Sequence, residues 1–227
     1  DLEAWDGTIL KARNIIGAFN PDNKKRVMRC AHRASRPGAD YDADEKNHKK
    51  PVDGANDGAS GVGVLLEIAR QIQKQAPTVG IDIIFFDAED YGTPAWHRGT
   101  YKPHDWCLGS QYWGRTPHVQ GYFARYGILL DMVGGKGGTF YYEPYSYRTA
   151  RKEMKKIWEK AHELGYGSYF VKQEGSEVTD DHVYVNQLAR IPCVDIINYD
   201  PVYENSSFGP TWHTVNDNIS NIDRNTL

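Results

Sequence analysis

The sequence predicts an α/β protein with a central, mostly parallel, mixed twisted sheet and helices on both faces. Short runs of apolar and β-branched residues alternate along the chain with longer segments of helical periodicity, as in sheets with crossover helices. These runs are apolar at consecutive positions, which is typical of strands buried on both faces. With 227 residues, of which 40% are hydrophobic, the chain can form one globular domain over residues 1–227.

The predicted elements follow one another without a repeat or a linker. Four segments have the composition of buried strands: Lys24–His32, Ile81–Asp87, Tyr126–Gly134 and Ile191–Tyr199. Three segments have helical periodicity: Gly58–Gln75, Tyr147–Leu164 and Asp181–Arg190. The residues that share the apolar face of the first helix are Val62, Leu65, Leu66, Ala69 and Ile72. A loop rich in Gly, Pro and Trp is predicted over residues 91–108.

Composition and charge argue against several classes of protein. The formal net charge of −3 leaves no basic stripe for a phosphate backbone, so no nucleic-acid partner is expected. No apolar run approaches the ~20 residues that cross a bilayer, so no membrane span is expected. Cys30, Cys107 and Cys193 are far apart and form no CxxC pair. We therefore predict buried free thiols rather than a disulfide scaffold or a cysteine zinc site.

Acids and histidines recur where the predicted strands end, which is where α/β proteins bind their ligands. The residues in or near these strand ends are His32, Asp87, Glu89, Asp90, Asp131 and Asp195. Asp57 precedes a predicted helix, and His213 follows the last strand by a loop. Carboxylates and imidazoles gathered at one edge of a sheet favour a metal centre, and mixed Asp, Glu and His ligation suits zinc.

Several of these residues have a structural interpretation when each is taken alone. Asp57, within the segment NDG, is typical of an Asx turn or a helix cap. Asp180 and Asp181 stand where an N-cap and a first-turn acid belong. His213 alone would more often be a satisfied histidine than a ligand, and Trp212 alone could fill a loop core. Only their combination favours a functional site.

Six segments occur in the order and approximate spacing of one enzyme family: GANDGASGVGVLLEIAR, IIFFDAED, LGSQYW, LLDMVGG, DDH and TWHTVNDN. Through them the chain resembles the zinc-dependent glutaminyl-peptide cyclotransferases of the animal type, which share a superfamily with the zinc aminopeptidases. The resemblance covers nearly the whole chain from Arg29 onwards, and the ordered set is more specific than any single motif. It implies conversion of the N-terminal glutamine of peptides or proteins to pyroglutamate, with release of ammonia.

The resemblance also implies a role for particular residues. The implied ligands of one zinc ion per chain are Asp57, Asp90 and His213. The implied substrate-binding residues are Trp212, Asp195 and Trp96. Glu89, directly before a ligand, resembles the general acid/base, and Asp131 and Asp180 match acids that form hydrogen bonds near the substrate. Zinc would polarise the glutamine side-chain amide while Glu89 moves a proton from the α-amine to the departing ammonia. The charge of the zinc ion would also offset the repulsion among the carboxylates that follow the second predicted strand. Asp87, one of these carboxylates, has no implied role beyond a structural hydrogen bond.

The chain departs from the animal enzymes at three places. Glu89 and Asp90 stand where those enzymes have two glutamates, so the ligand is one methylene shorter. Asp195 replaces a histidine in the last strand, which resembles the bacterial branch of the family. Cys30 has no cysteine partner in the segment GVGVLLE, so the animal disulfide is predicted to be absent.

Two other functions stay open at this point. A co-catalytic two-zinc aminopeptidase could use the strand-end set His32, Asp57, Asp90, Asp131 and His213. Such enzymes carry an acid two residues after the strand-end histidine to orient it, where this chain has Ala34. The other alternative, a non-catalytic peptide- or glycan-binding module, would have no need of a base beside a ligand.

The resemblance implies peptides or proteins with N-terminal glutamine as substrates, and we expect a monomeric enzyme. It also implies export to the periplasm or the secretory space. The chain begins at Asp1 rather than at Met, and we expect that it was trimmed at both ends.

Overall fold

The computed structural model describes residues 1–227 and has a larger sheet flanked by short strand pairs. In chain order, the strands are β1 (Leu2–Glu3), β2 (Ile9–Leu10), β3 (Ile15–Phe19), β4 (Arg26–His32), β5 (Gly80–Phe86), β6 (Gly127–Asp131), β7 (Phe140–Tyr142), β8 (Phe170–Glu174) and β9 (Cys193–Ile197). The helices are α1 (Ala59–Lys74), α2 (Leu108–Arg115), α3 (Pro144–Thr149), α4 (Arg151–Glu163) and α5 (Asp181–Leu188).

The central sheet has five strands in the order β3-β5-β4-β6-β9. Strand β3 is antiparallel to β5, and all other pairs are parallel. The carboxyl ends of the parallel strands therefore meet at one side of the sheet, the carboxyl edge, where His32 ends β4, Asp131 ends β6 and Asp87 follows β5. The mostly parallel mixed sheet is confirmed. Within this sheet the sequence misses the short antiparallel edge strand β3, and it also misses the strands of the two small pairs, β1, β2, β7 and β8.

Helices cover both faces of this sheet, as the sequence predicts. One face packs against α1 and α4, where Leu65, Met154 and Trp158 are fully buried. The opposite face packs against α2 and α5, mainly through Trp113 and Val185. Both faces are thus covered by apolar side chains, and His32 and Asp131 lie where their strands end, at the carboxyl edge.

Three helical features differ from the predictions. The single helix predicted over Tyr147–Leu164 is two helices, α3 and α4, because the backbone leaves the helical conformation at Ala150. Leu66, predicted on the apolar face of α1, is 57% exposed, because it lies about 100° around the helix from the buried Leu65. Helix α2 is not predicted as a helix, since its segment LGSQYWGR is short and contains two glycines. All three cysteines are free and buried, as predicted. No helix combines the length and apolar character that a membrane crossing requires.

Candidate active site

The structure brings the three predicted metal ligands together at the carboxyl edge. Asp57 lies in the turn before α1, Asp90 follows β5, and His213 belongs to the C-terminal loop. One donor atom from each lies within 4.8 Å of the others, and all three side chains are buried. His213 Nε2 is 3.1 Å from Asp90 Oδ1 and 3.7 Å from Asp57 Oδ2.

This set has the chemistry of a zinc site. Two carboxylates and an imidazole are donors that zinc accepts, and three protein ligands leave a further position for water or substrate. Asp90 Oδ2 is buried without a hydrogen-bond partner, and such an oxygen is costly unless a cation or a donor faces it. Burial and the neighbouring Asp57 raise the pKa of Asp90, a cost that a bound cation would remove. The residues therefore fit zinc.

A second group, which shares Asp57, lies beside the first. His32 Nε2 is 3.0 Å from Asp57 Oδ1 and 3.0 Å from Asp131 Oδ1. Its other nitrogen, Nδ1, is 2.9 Å from the Ala34 carbonyl oxygen, so a backbone group orients this ring where the two-zinc enzymes use an acid. Burial lowers the pKa of His32, but the carboxylates of Asp131 and Glu89 outweigh it and raise that pKa well above its usual value. His32 Nε2 therefore lies between the carboxylates of Asp57 and Asp131.

Glu89 faces different partners from its neighbour Asp90. Glu89 Oε1 is 3.4 Å from Cys107 Sγ, and Oε2 is 3.7 Å from His32 Nδ1. An oxygen of Glu89 also lies within 4.8 Å of an Asp180 oxygen. Burial raises the pKa of Glu89 well above its usual value, which suits a group that must both accept and return a proton near neutral pH.

The acids Asp131, Asp180 and Asp195 form no hydrogen bonds with one another. Asp131 contacts His32, whereas Asp195 Oδ2 is 3.3 Å from His182 Nδ1. Burial raises the pKa of Asp131 to about 7 and also raises the pKa of Asp180 and Asp195. Asp195 is fully buried in β9 and lies outside the cavity described below.

The purely structural roles predicted for Asp180 and Asp87 are present in the structure, whereas the helix-cap role predicted for Asp57 is not. The N-cap of α1 is Gly58, and no side chain caps that helix, so Asp57 is not a helix cap. Asp180 is the N-cap of α5 and accepts a hydrogen bond from a backbone N–H, in addition to lining the cavity. Asp87 accepts a hydrogen bond from Arg33, as expected of a structural acid.

A cavity of about 640 Å³ opens over these residues. Its polar wall includes Glu89, Asp90, Asp131, Asp180 and His213, and its aromatic lining residues are His104, Trp106, Tyr184, Phe208 and Trp212. Trp212 stacks on His213 with ring centroids 3.8 Å apart. The cavity thus combines acids with flat apolar walls, which suits a small polar group held in a fixed orientation.

Trp96 does not reach this cavity. Its ring is 45% exposed and packs edge-on against Trp5, with centroids 6.2 Å apart. Trp106, ten positions further along the same loop, lines the cavity instead and lies nearly parallel to His213. The sequence could not separate the two tryptophans because both lie in one loop without periodicity, and neither stands beside a distinctive motif.

The backbone is strained around the site. Residues other than glycine with positive φ include Ala88 (50°), Cys107 (58°), Met132 (47°) and His213 (54°). Ala88 precedes Glu89, and Met132 follows a strand-end acid. Such conformations are costly for side chains other than glycine and gather at functional sites.

The sheet topology, together with a buried Asp/Asp/His set at its carboxyl edge, defines an α/β protein of the zinc exopeptidase class. The family model of peptidase family M28 matches residues 14–227, and the chain belongs to this family. The chain is 28% identical to the glutaminyl-peptide cyclotransferase of Bos taurus over 251 residues, covering 94% of this chain and 62% of that protein.

Two solved structures are closely similar. A Bacteroides thetaiotaomicron glutaminyl cyclase bound to N-acetylhistamine has 58% identity and a TM-score of 0.97, covering 100% of this chain and 76% of that chain. A Zn-dependent exopeptidase from Parabacteroides distasonis has 56% identity and a TM-score of 0.97, covering 99% of this chain and 76% of that chain. The family and these structures agree with zinc as the metal.

Proposed function

We propose that the chain is a zinc-dependent glutaminyl-peptide cyclotransferase, which converts an N-terminal glutamine to pyroglutamate and releases ammonia. The observation that carries this proposal is the position of Glu89. It stands directly before the proposed ligand Asp90 and lines a cavity that has aromatic walls. The 58% identity to a bacterial glutaminyl cyclase supports the same function.

The neutral, flat side chain of glutamine suits a slot beside Trp212 and Trp106, because an aromatic wall binds an amide face without needing a counter-ion. The substrate α-amine would then lie near Glu89. Glu89 accepts a proton as the amine nitrogen forms a bond to the side-chain amide carbon. It returns that proton to the amide nitrogen as the C–N bond breaks and ammonia leaves.

Asp131 and Asp180 would hold the α-amine and the departing nitrogen in place, since both line the cavity and Asp180 has an oxygen within 4.8 Å of a Glu89 oxygen. One zinc ion per chain would be held by Asp57, Asp90 and His213, and when bound it supplies a Lewis acid for the side-chain carbonyl. The expected substrates are peptides or proteins with N-terminal glutamine. Export to the periplasm or the secretory space and a monomeric state are further expectations of this proposal.

A two-zinc aminopeptidase is the second candidate, because His32, Asp57 and Asp131 form another group with donor atoms within 4.8 Å. Metal content and product analysis separate the two functions. We expect one zinc per chain and ammonia release from a glutaminyl peptide. Two zinc ions per chain, with release of a free amino acid, would establish the aminopeptidase instead.

A further inference from the structure

We infer that Asp40 is a positioning residue for His213, and that Arg36 joins this pair to the Asp90 segment. The inference rests on the proposed metal centre. Asp40 Oδ1 lies 3.2 Å from His213 Nδ1, the ring nitrogen opposite the one that faces Asp57 and Asp90. A carboxylate at one nitrogen of a ligating histidine holds the ring orientation and keeps the proton off the metal-facing nitrogen.

Arg36 fixes the Asp40 carboxylate through both of its oxygens. Arg36 Nε donates to Asp40 Oδ1 at 3.0 Å, and Nη2 donates to Asp40 Oδ2 at 2.8 Å. Both side chains are almost fully buried. A buried two-point pair of this kind allows little rotation of the carboxylate, so Asp40 presents Oδ1 to His213 in one orientation.

The same guanidinium also holds the chain that carries the second ligand. Arg36 Nη1 donates to the carbonyl oxygens of Asp90 at 2.8 Å and Gly92 at 2.9 Å. Trp106 packs on the guanidinium at 4.5 Å and lies nearly parallel to the His213 ring. Arg36 and Asp40 therefore tie together two ligands that come from separate segments of the chain.

A second buried pair provides a matched comparison far from the ligands. Arg26 donates to Asp82 through Nε at 2.7 Å and through Nη2 at 2.6 Å. These residues lie at the opposite ends of β4 and β5 from the carboxyl edge, and Asp82 also accepts a hydrogen bond from Tyr122. The two pairs have the same chemistry, but only Asp40 contacts a predicted ligand.

The test compares Asp40→Asn with Asp82→Asn in the full chain. Zinc affinity is measured by competition with a chelator, at a temperature where circular dichroism shows that both variants are folded, and Tm is recorded for each. We expect both variants to lose Tm, whereas only Asp40→Asn weakens zinc binding, by about 10- to 100-fold. Unchanged zinc affinity in Asp40→Asn, or equal weakening in both variants, would overturn the inference.

Arg36→Lys is the alternative variant if Asp40→Asn fails to fold. Lysine keeps the positive charge but loses the two-point hydrogen bonding to the Asp40 carboxylate. This variant should also weaken zinc binding, and wild-type affinity would count against the inference. Ammonia release is assayed separately on the unchanged chain. A chain that binds zinc with the expected dependence on Asp40 but releases no ammonia would overturn the cyclotransferase proposal and leave the positioning role intact.

Discussion

Asp57 lies between two similar histidine–carboxylate groups, which differ in whether a buried carboxylate oxygen lacks a hydrogen-bond partner. On each side a buried histidine turns its Nε2 towards Asp57 and towards a second acid, Asp90 for His213 and Asp131 for His32. On the His213 side, Asp90 Oδ2 is buried without a hydrogen-bond partner. On the other side, His32 contacts both acids at 3.0 Å. Under the proposed function, the metal is therefore expected on the His213 side, and the comparison asks whether the similar geometry on the His32 side also binds one.

Asp90→Ala should have the largest effect, because it removes a proposed ligand together with the unpaired oxygen Oδ2. We expect loss of zinc and of ammonia release together, along with any stability that the bound metal confers. Metal analysis per chain and the ammonia assay check this. Asp87→Ala, at the same strand end, is the matched control and should keep its zinc. Retention of zinc in Asp90→Ala would place the metal elsewhere.

Glu89→Gln should have the next largest effect, on rate alone. The substitution is nearly isosteric, so zinc content and substrate binding should persist while kcat falls by roughly 10² to 10⁴. Because the attacking α-amine must be neutral and titrates near ~8, wild-type activity should rise from about pH 6 towards pH 8. If Glu89→Gln lost its zinc while Asp90→Ala kept it, the two roles would be reversed.

Trp212→Ala should have a smaller effect, on substrate binding. Loss of a stacking wall should raise KM by roughly tenfold, equivalent to about 1.4 kcal/mol, while bound zinc stays in place. Trp96→Ala is the control of the same residue type, and its KM should match that of the unchanged chain. Equal KM values for both variants would remove Trp212 from the substrate site.

Asp131→Asn should have the smallest effect on metal content, and it tests the His32 side directly. We expect zinc to remain at one per chain, because His32, rather than a metal ion, contacts the carboxylates of Asp57 and Asp131. Ammonia release should fall, since Asp131 lines the cavity. A change from two zinc ions to one in elemental analysis would show that His32 and Asp131 do bind a second metal, and the comparison between the two sides would then fail.

Much of the site could be predicted because its residues stand beside regular elements. Asp90 and Asp131 end or follow strands whose apolar composition marks them in the sequence, and Asp57 precedes a helix with a clear apolar stripe. Their convergence follows from the parallel arrangement of the strands. Asp195 shows the limit of this reasoning: it too lies in a strand of the sheet, but it points to His182 rather than into the cavity.

The sequence by itself determined the alternating strands and helices, and the acids and histidine at the carboxyl edge. These depend on local apolar periodicity and on the parallel order that such alternation imposes. Only the tertiary structure decided that Trp106 rather than Trp96 lines the cavity, and that Asp40 stands behind His213. Those choices depend on the paths of long loops, and loop paths are set by contacts between residues far apart in the chain, which no local pattern encodes.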